Sequence, residues 1–149
     1  MVTNSTTRTI DQVQSEIVDE FQVLGDDRES TLFYIMELGQ KLEPLDEVHK
    51  TEENTIKGCQ SKVWLTADFN NDRIFYRADS NTEITRGLIA LLIRVLSGQP
   101  ARDIASANLY FIEKIGMGRV IGAQRSNGLK SMIKQMKLYA LAYSTKYGT

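Results

Sequence analysis

Apolar residues recur at helical spacing over the first forty positions. Ile10, Val13, Ile17, Phe21 and Leu24 form one stripe. Thr9 precedes it with Gln12 three residues on, the spacing of a capping box. Gly25-Asp26-Asp27 breaks that helix. A second is predicted over residues 28–42, striped by Leu32, Ile35, Met36 and Leu42 and stopped by Pro44. Residues 43–58 are polar and acid-rich, a long connection of the kind that often carries function. The period then changes. Val63, Leu65, Ala67 and Phe69 alternate, Asn70-Asn71-Asp72-Arg73 is turn chemistry, and Ile74, Tyr76 and Ala78 alternate again. This predicts an antiparallel hairpin. Two strands alone are marginal, so a third is expected from the segment ahead of Cys59, with helices over the apolar face. Ser80-Asn81-Thr82-Glu83 reads as a second capping box. It opens a helix carrying Ile84, Leu88, Leu91, Leu92 and Val95, ended by Gly98 and Pro100. Apolar around much of its girth, it is predicted to be the central buried helix. Residues 102–107 and 109–115 read as two short helices, and residues 116–124 as a glycine-rich irregular stretch. A last helix is predicted over residues 127–143, with Leu129, Met132, Ile133, Met136, Ala140 and Tyr143 inward. The pattern is that of an α+β fold, a small antiparallel sheet packed against helices. One domain is expected over residues 9–149, after a disordered stretch at residues 1–8.

Composition narrows the class. The 149 residues suit one domain with one sizeable core, and 42% hydrophobic with 25% charged residues is ordinary for a globular protein. The longest apolar run, Leu88-Ile89-Ala90-Leu91-Leu92-Ile93, is closed by Arg94 and is too short to span a bilayer. The first residues are polar and lack an apolar signal core, and one cysteine cannot form an internal disulfide; both point to the cytoplasm. A net charge of −1 leaves no general nucleic-acid footprint. The charge is nevertheless uneven. Acids dominate residues 11–53, whereas from Arg125 onward the chain carries Arg125, Lys130, Lys134, Lys137 and Lys146 and no acid. Two solvated helix faces would give this pattern, and so would a polarised surface that orients a protein partner.

The candidate chemistry centres on Cys59, the sole cysteine, which lies five residues before the sole tryptophan, Trp64. Acids and an amide precede it and an apolar run follows Ser61, so Cys59 is placed in a loop just ahead of a strand. Gly58 permits a left-handed turn or a close approach there. Lys57 and Lys62 flank the thiol, and nearby cations favour a thiolate. A lone cysteine beside Ile56 and Val63 also fits a small buried hydrophobe. Dithiol redox chemistry requires a second cysteine. An iron–sulfur scaffold requires several ligands, and a zinc site needs more than His49, the only histidine. A thiol-dependent hydrolase using Cys59 with His49 as base, and an interaction domain with an incidental cysteine, both remain open.

The run Glu53-Asn54-Thr55-Ile56-Lys57-Gly58-Cys59-Gln60-Ser61-Lys62-Val63-Trp64 resembles the signature of the SufE family. Ala78-Asp79-Ser80 followed by Gly87-Leu88-Ile89-Ala90 is similar to its strand-to-helix junction. Arg125-Ser126-Asn127-Gly128-Leu129 resembles the Arg-Ser-x-Gly-Leu element before its final helix. The chain departs from the family where Val120-Ile121-Gly122-Ala123 stands in place of a His-Leu-[Ser/Thr]-Pro segment. The resemblance implies a SufE/IscU-like fold and a sulfur acceptor that takes persulfide sulfur from a cysteine desulfurase (SufS-like) onto Cys59. It implies stimulation of that desulfurase and passage of the sulfur to an iron–sulfur scaffold complex (SufBCD-like). No cofactor is implied for this chain, since pyridoxal phosphate belongs to the desulfurase. Arg125, Gly58, Gln60 and Asn54 would support the site, Arg125 as a cation near the sulfur or as a structural cap, Asn54 and Gln60 by holding the loop's backbone. The desulfurase would dock around the Cys59 loop, with residues 116–125 beside it.

Overall fold

The computed structural model describes residues 8–147. The stretch at residues 1–8 expected to be disordered lies outside them except for Arg8. Helix α1 (Ile10–Gln22) begins with the expected reciprocal cap: Gln12 N–H donates to Thr9 Oγ1 at 3.1 Å, and Thr9 N–H to Gln12 Oε1 at 2.9 Å. Its stripe is buried through Ile10, Val13, Ile17 and Phe21. Gln14 shares that face although polar, because both ends of its amide are used. It accepts from Phe111 N–H at 3.1 Å and donates to Asn108 O at 3.1 Å, which ties α1 to the segment around α5 (Phe111–Lys114).

Helix α2 (Arg28–Lys41) runs to the expected length, but its most buried positions are Thr31, Ile35 and Gly39, with Leu32 and Met36 at the margin. The reason is the neighbouring helix α3 (Glu83–Leu96). A Cβ at Gly87 would lie 2.0 Å from Ile35 O, and one at Gly39 would lie 2.3 Å from Glu83 O. The two backbones touch at glycines, so no large apolar side chain is needed at the crossing.

The hairpin forms as read. Strands β1 (Val63–Asn70) and β2 (Arg73–Ser80) pair antiparallel from Val63↔Ser80 to Asn70↔Arg73. Asn71 and Asp72 take φ values of 52° and 67°, a two-residue turn whose twist matches the strands. Val63, Leu65, Ile74, Tyr76 and Ala78 are buried beneath α3 and α6 (Met117–Tyr147). Tyr76 Oη reaches its partner there, donating to Met136 O at 2.6 Å.

Four expectations need correction. The third strand is β3 (Gln99–Pro100), which pairs with β2 after the chain turns through Gly98. Pro100 donates no hydrogen bond and so sits at the sheet edge. The segment ahead of Cys59 contributes only one bridge, Thr55↔Trp64, on the outer side of β1. The second capping box does not form, because Ser80 is held in β2 by its pairing with Val63; the helix caps at Thr82. Residues 116–124 are irregular only at Gly116 and Gly122. Gly116 (φ 70°) closes α5, and α6 starts at once, kinked at Gly122 (φ 84°, ψ 169°). Burial of Met117, Val120 and Ile121 at helical spacing outweighs the helix cost of the glycines. The last helix accordingly resumes just after Gly122 rather than near residue 127, and the Arg-Ser-x-Gly-Leu element lies within it. The short helices are α4 (Ala101–Ala105) and α5, each shifted by a residue or two from the reading. Among the described residues no helix is long and apolar enough to cross a membrane.

Candidate functional site

The loop that carries Cys59 is anchored on both sides of its tip. On the entering side Ile56 is buried, its N–H donates to Val63 O at 2.8 Å, and Leu65 N–H donates to Asn54 O at 2.9 Å. Asn54 also uses its side chain on the backbone, donating from Nδ2 to His49 O at 2.8 Å. On the leaving side Lys62 N–H donates to Asn81 Oδ1 at 3.1 Å, and Ser61 Oγ accepts from Thr85 Oγ1 at 3.3 Å. The tip, residues 57–60, turns through Gly58 at φ 91°. That turn requires glycine twice over. An L side chain rarely adopts this φ, and a Cβ would lie 2.6 Å from Ser131 Oγ of α6.

Deeper down, a buried ion cluster holds the long connection in place. Asp79, at the end of β2, accepts from Leu45 N–H at 3.0 Å and Ser80 N–H at 2.8 Å. Arg86 Nη1 binds the same carboxylate, and Lys50 Nζ lies 3.6 Å from it. Arg86 further donates to Gly39 O at 3.0 Å and Leu42 O at 2.7 Å at the end of α2. Lys50 stands over the Trp64 ring, 5.2 Å from its centroid. Burial works to raise the Asp79 pKa. The amides of Leu45 and Ser80, and beyond them the charges of Arg86 and Lys50, hold it below its ordinary value. One carboxylate thus joins α2, the 43–58 connection, β2 and α3. Sequence reasoning noted Asp79 as part of a junction but gave it no role. The available signal was an acid at the covered end of a strand, seven residues before an arginine on the next helix.

Cys59 itself is half-buried against the core. Its Sγ donates weakly to Gly128 O at 3.5 Å. A small cleft opens beside the thiol, between the loop, Thr85 and Leu88 of α3, and Gln124, Arg125, Gly128 and Met132 of α6. The space is about 20 Å³, enough for one water molecule. Gly128 lines it without a side chain; a Cβ there would touch Sγ at 3.5 Å. Burial pushes the Cys59 thiol pKa up. This corrects the expectation that Lys57 and Lys62 favour the thiolate: both are exposed, and desolvation prevails in this conformation.

The structure therefore brings Cys59, Gln60 and Arg125 to one cleft. Arg125 is exposed and donates from Nη1 to Ile121 O at 3.4 Å, one turn back across the Gly122 kink. Gln60 is exposed. Asn54 lies away from the thiol in the loop's base. His49 lies in a short 3₁₀ turn (Glu47–His49) and is not among the residues lining the cleft. Among the described residues no group of three or more His, Cys, Asp or Glu is placed to hold a metal ion.

Comparison with known proteins places these features in a lineage. A family model described as "SufE: Fe-S metabolism associated domain" matches residues 15–140. An uncharacterised SufE-like protein of Rhizobium etli is 40% identical over 127 residues, covering 82% of this chain and 85% of that protein. The chloroplastic/mitochondrial SufE-like protein 1 of Arabidopsis thaliana is 38% identical over 135 residues, 88% of this chain and 35% of that protein. A SufE-like protein of Synechocystis is 35% identical over 132 residues, 87% of this chain and 80% of that protein. The solution structure of a hypothetical Thermus thermophilus protein superposes with a TM-score of 0.73 at 16% identity. It covers 89% of this chain and 96% of that one, so the fold is shared.

Proposed function

The chain belongs to the SufE family, and with it to Fe–S metabolism; on that premise we propose that Cys59 is a sulfur acceptor serving a cysteine desulfurase. The observation that carries this reading is the setting of the chain's only thiol. It sits at the tip of a firmly anchored loop, half-buried over a space about the size of one added atom.

The chemistry is exchange of one S–S bond for another. The Cys59 thiolate attacks the outer sulfur of a persulfide on the donor protein. The donor's S–S bond breaks and a new one forms at Cys59. The proton released by Cys59 ends on the donor's thiol, and no net oxidation occurs. Within this chain no second thiol can attack the cargo and release it as sulfide. In the resting conformation burial keeps the thiol protonated, which protects it from oxidation. Docking of a SufS-like desulfurase around the loop tip moves Cys59 out of the cleft, which removes the desolvation and activates the thiol. Arg125 stands at the cleft rim, where a permanent cation favours the thiolate and the persulfide anion. Gly58 supplies the turn, Asn54 holds the loop's base, and Gln60 lines the cleft beside the thiol. The returning persulfide shelters beside Gly128 until a SufBCD-like scaffold takes the sulfur, in the cytoplasm or an organelle of similar redox poise. Pyridoxal phosphate remains with the desulfurase; this chain needs no cofactor of its own.

The hydrolase reading lacks a base, because His49 does not line the cleft. The test is a desulfurase assay. Addition of this protein to a SufS-like enzyme with cysteine should raise alanine production, and Cys59→Ser should not. Equal stimulation by Cys59→Ser would leave only the interaction-domain reading.

A further inference from the structure

The Cys59 loop has a neck, and one side chain crosses it. Trp64, on β1 just after the loop, and Asp79, on β2, are cross-strand partners, so their side chains share one face of the sheet, opposite to Leu65 and Ala78. Lys50, ahead of the loop, lies over both. Its Nζ is 5.2 Å from the centroid of the Trp64 ring and 3.6 Å from Asp79 Oδ2. The contact joins position 50 to position 64 and so brackets the stretch that carries Cys59. The Lys50 side chain is 21% exposed and that of Asp79 2%, so both contacts are made largely out of bulk water, where a cation acts most strongly on a ring or a carboxylate. Lys50 also pairs with Glu47 at 2.9 Å, but that carboxylate is 89% exposed and contributes little.

Backbone bonds carry this hold from Lys50 to the loop. His49 O accepts from Asn54 Nδ2 at 2.8 Å, Asn54 N–H donates to Thr51 O at 3.2 Å, and Asn54 O accepts from Leu65 N–H at 2.9 Å. Thr55 bridges to Trp64 itself. The turn from Lys50 to Thr55 is therefore tied to the entering anchor of the tip. Glu52, Glu53 and Lys57, the other charged residues on the way to Cys59, are exposed. Lys50 and the buried Ile56 are the side chains that fasten this stretch to the sheet.

We propose that Lys50 is a positioning residue that sets how readily Cys59 leaves its cleft. Its ammonium, seated on Trp64 and Asp79, clamps the neck of the loop and favours the closed state. The role in sulfur transfer rests on Cys59 being the acceptor. A desulfurase that needs the open loop then binds with an affinity reduced by the small open fraction, and loosening the clamp raises that fraction.

The rate at which Cys59 in the free protein reacts with an aromatic disulfide tests the clamp without a desulfurase. Lys50→Met keeps an unbranched stem and removes the charge, and the reaction should speed up by about tenfold. That rate should stay nearly independent of urea below the unfolding transition, the mark of a local opening. The emission of Trp64, the only tryptophan, should change in the same variant, because the cation leaves its ring. Lys50→Arg should recover most of the slow reaction, since a guanidinium keeps the charge and stacks on aromatic faces. Glu47→Gln should react at the unaltered rate. With a SufS-like desulfurase, Lys50→Met should reach half-maximal stimulation at a lower concentration than the unaltered protein. An unaltered rate or unchanged Trp64 emission in Lys50→Met would overturn the proposal, as would a faster rate that climbs steeply with urea. No recovery in Lys50→Arg, equal acceleration in Glu47→Gln, or an unchanged half-maximal concentration would overturn it as well. If the unaltered protein itself fails to stimulate, the acceptor reading falls, and the thiol rates still decide whether Lys50 clamps the loop.

Discussion

Replacing Gly58 by alanine adds a Cβ where the backbone has φ 91° and where Ser131 Oγ would be 2.6 Å away. The left-handed backbone alone costs a non-glycine residue about 1–2 kcal/mol. The close contact can be relieved by rotating Ser131, whose hydroxyl then gives up its bond to Asn127 O, worth about 1 kcal/mol net. The total is roughly 2–3 kcal/mol. The tip has an escape, because only residues 57–60 lie between the anchors at Ile56 and Ser61. Lifting the tip relieves both strains and loses only the packing of a half-buried Cys59 and its weak bond to Gly128 O. About 2 kcal/mol spent in that way shifts the closed-to-open equilibrium about thirtyfold. The expected outcome is a faster reaction of Cys59 with a disulfide reagent in the native protein, with global stability to urea lowered by less than the full strain. The double variant Gly58→Ala/Ser131→Ala should recover part of the slow reaction, since it removes the contact but not the φ penalty. If Gly58→Ala reacts at the unaltered rate and is equally stable, the loop tip is not held as described, and the argument fails.

Three further outcomes follow from the same structure. The Cys59 thiol pKa is raised in the folded state, so its contribution to stability is intact below the unfolded thiol value of about 8.5 and is lost as pH rises through the folded value; urea titrations should show the unaltered protein losing stability above that pH faster than Cys59→Ala. Asp79→Ala leaves Arg86 without its buried counter-charge and should cost about 3–5 kcal/mol at neutral pH; because the Asp79 pKa is lowered on folding, that deficit should narrow as pH falls below about 4, and a constant deficit down to pH 2 would show the charge to be irrelevant. Arg125→Glu should weaken stimulation of the desulfurase while leaving thermal stability within about 0.5 kcal/mol, because the side chain is exposed; unchanged stimulation would remove it from the interface.

Where the periodicity was strong, the sequence alone was a good guide. The stripes of α1 and α3, the Asn71–Asp72 turn and the hairpin register follow from local pattern, because burial of one face decides them. Cys59 was legible for another reason: it is one thiol in a long, distinctive run. What escaped depends on contacts between distant segments. The glycines of residues 116–124 suggested irregular chain throughout, yet Met117, Val120 and Ile121 find burial against the rest of the fold and form a helical turn that breaks only at Gly122. Ser80 looks like a cap until Val63 pairs with it. The approach of Gly128 to the thiol, the raised thiol pKa and the Asp79–Arg86 cluster join residues from 7 to 69 positions apart. Only the Asp79–Arg86 spacing left a local trace; the contacts across the fold leave none.

The central claim, that Cys59 accepts sulfur, is tested most directly by intact-protein mass spectrometry after incubation with a SufS-like desulfurase and cysteine. The unaltered protein should gain the mass of one sulfur atom, reductant should remove it, and peptide mapping should locate it on Cys59. No gain on the unaltered protein, or an equal gain on Cys59→Ser, would contradict the account.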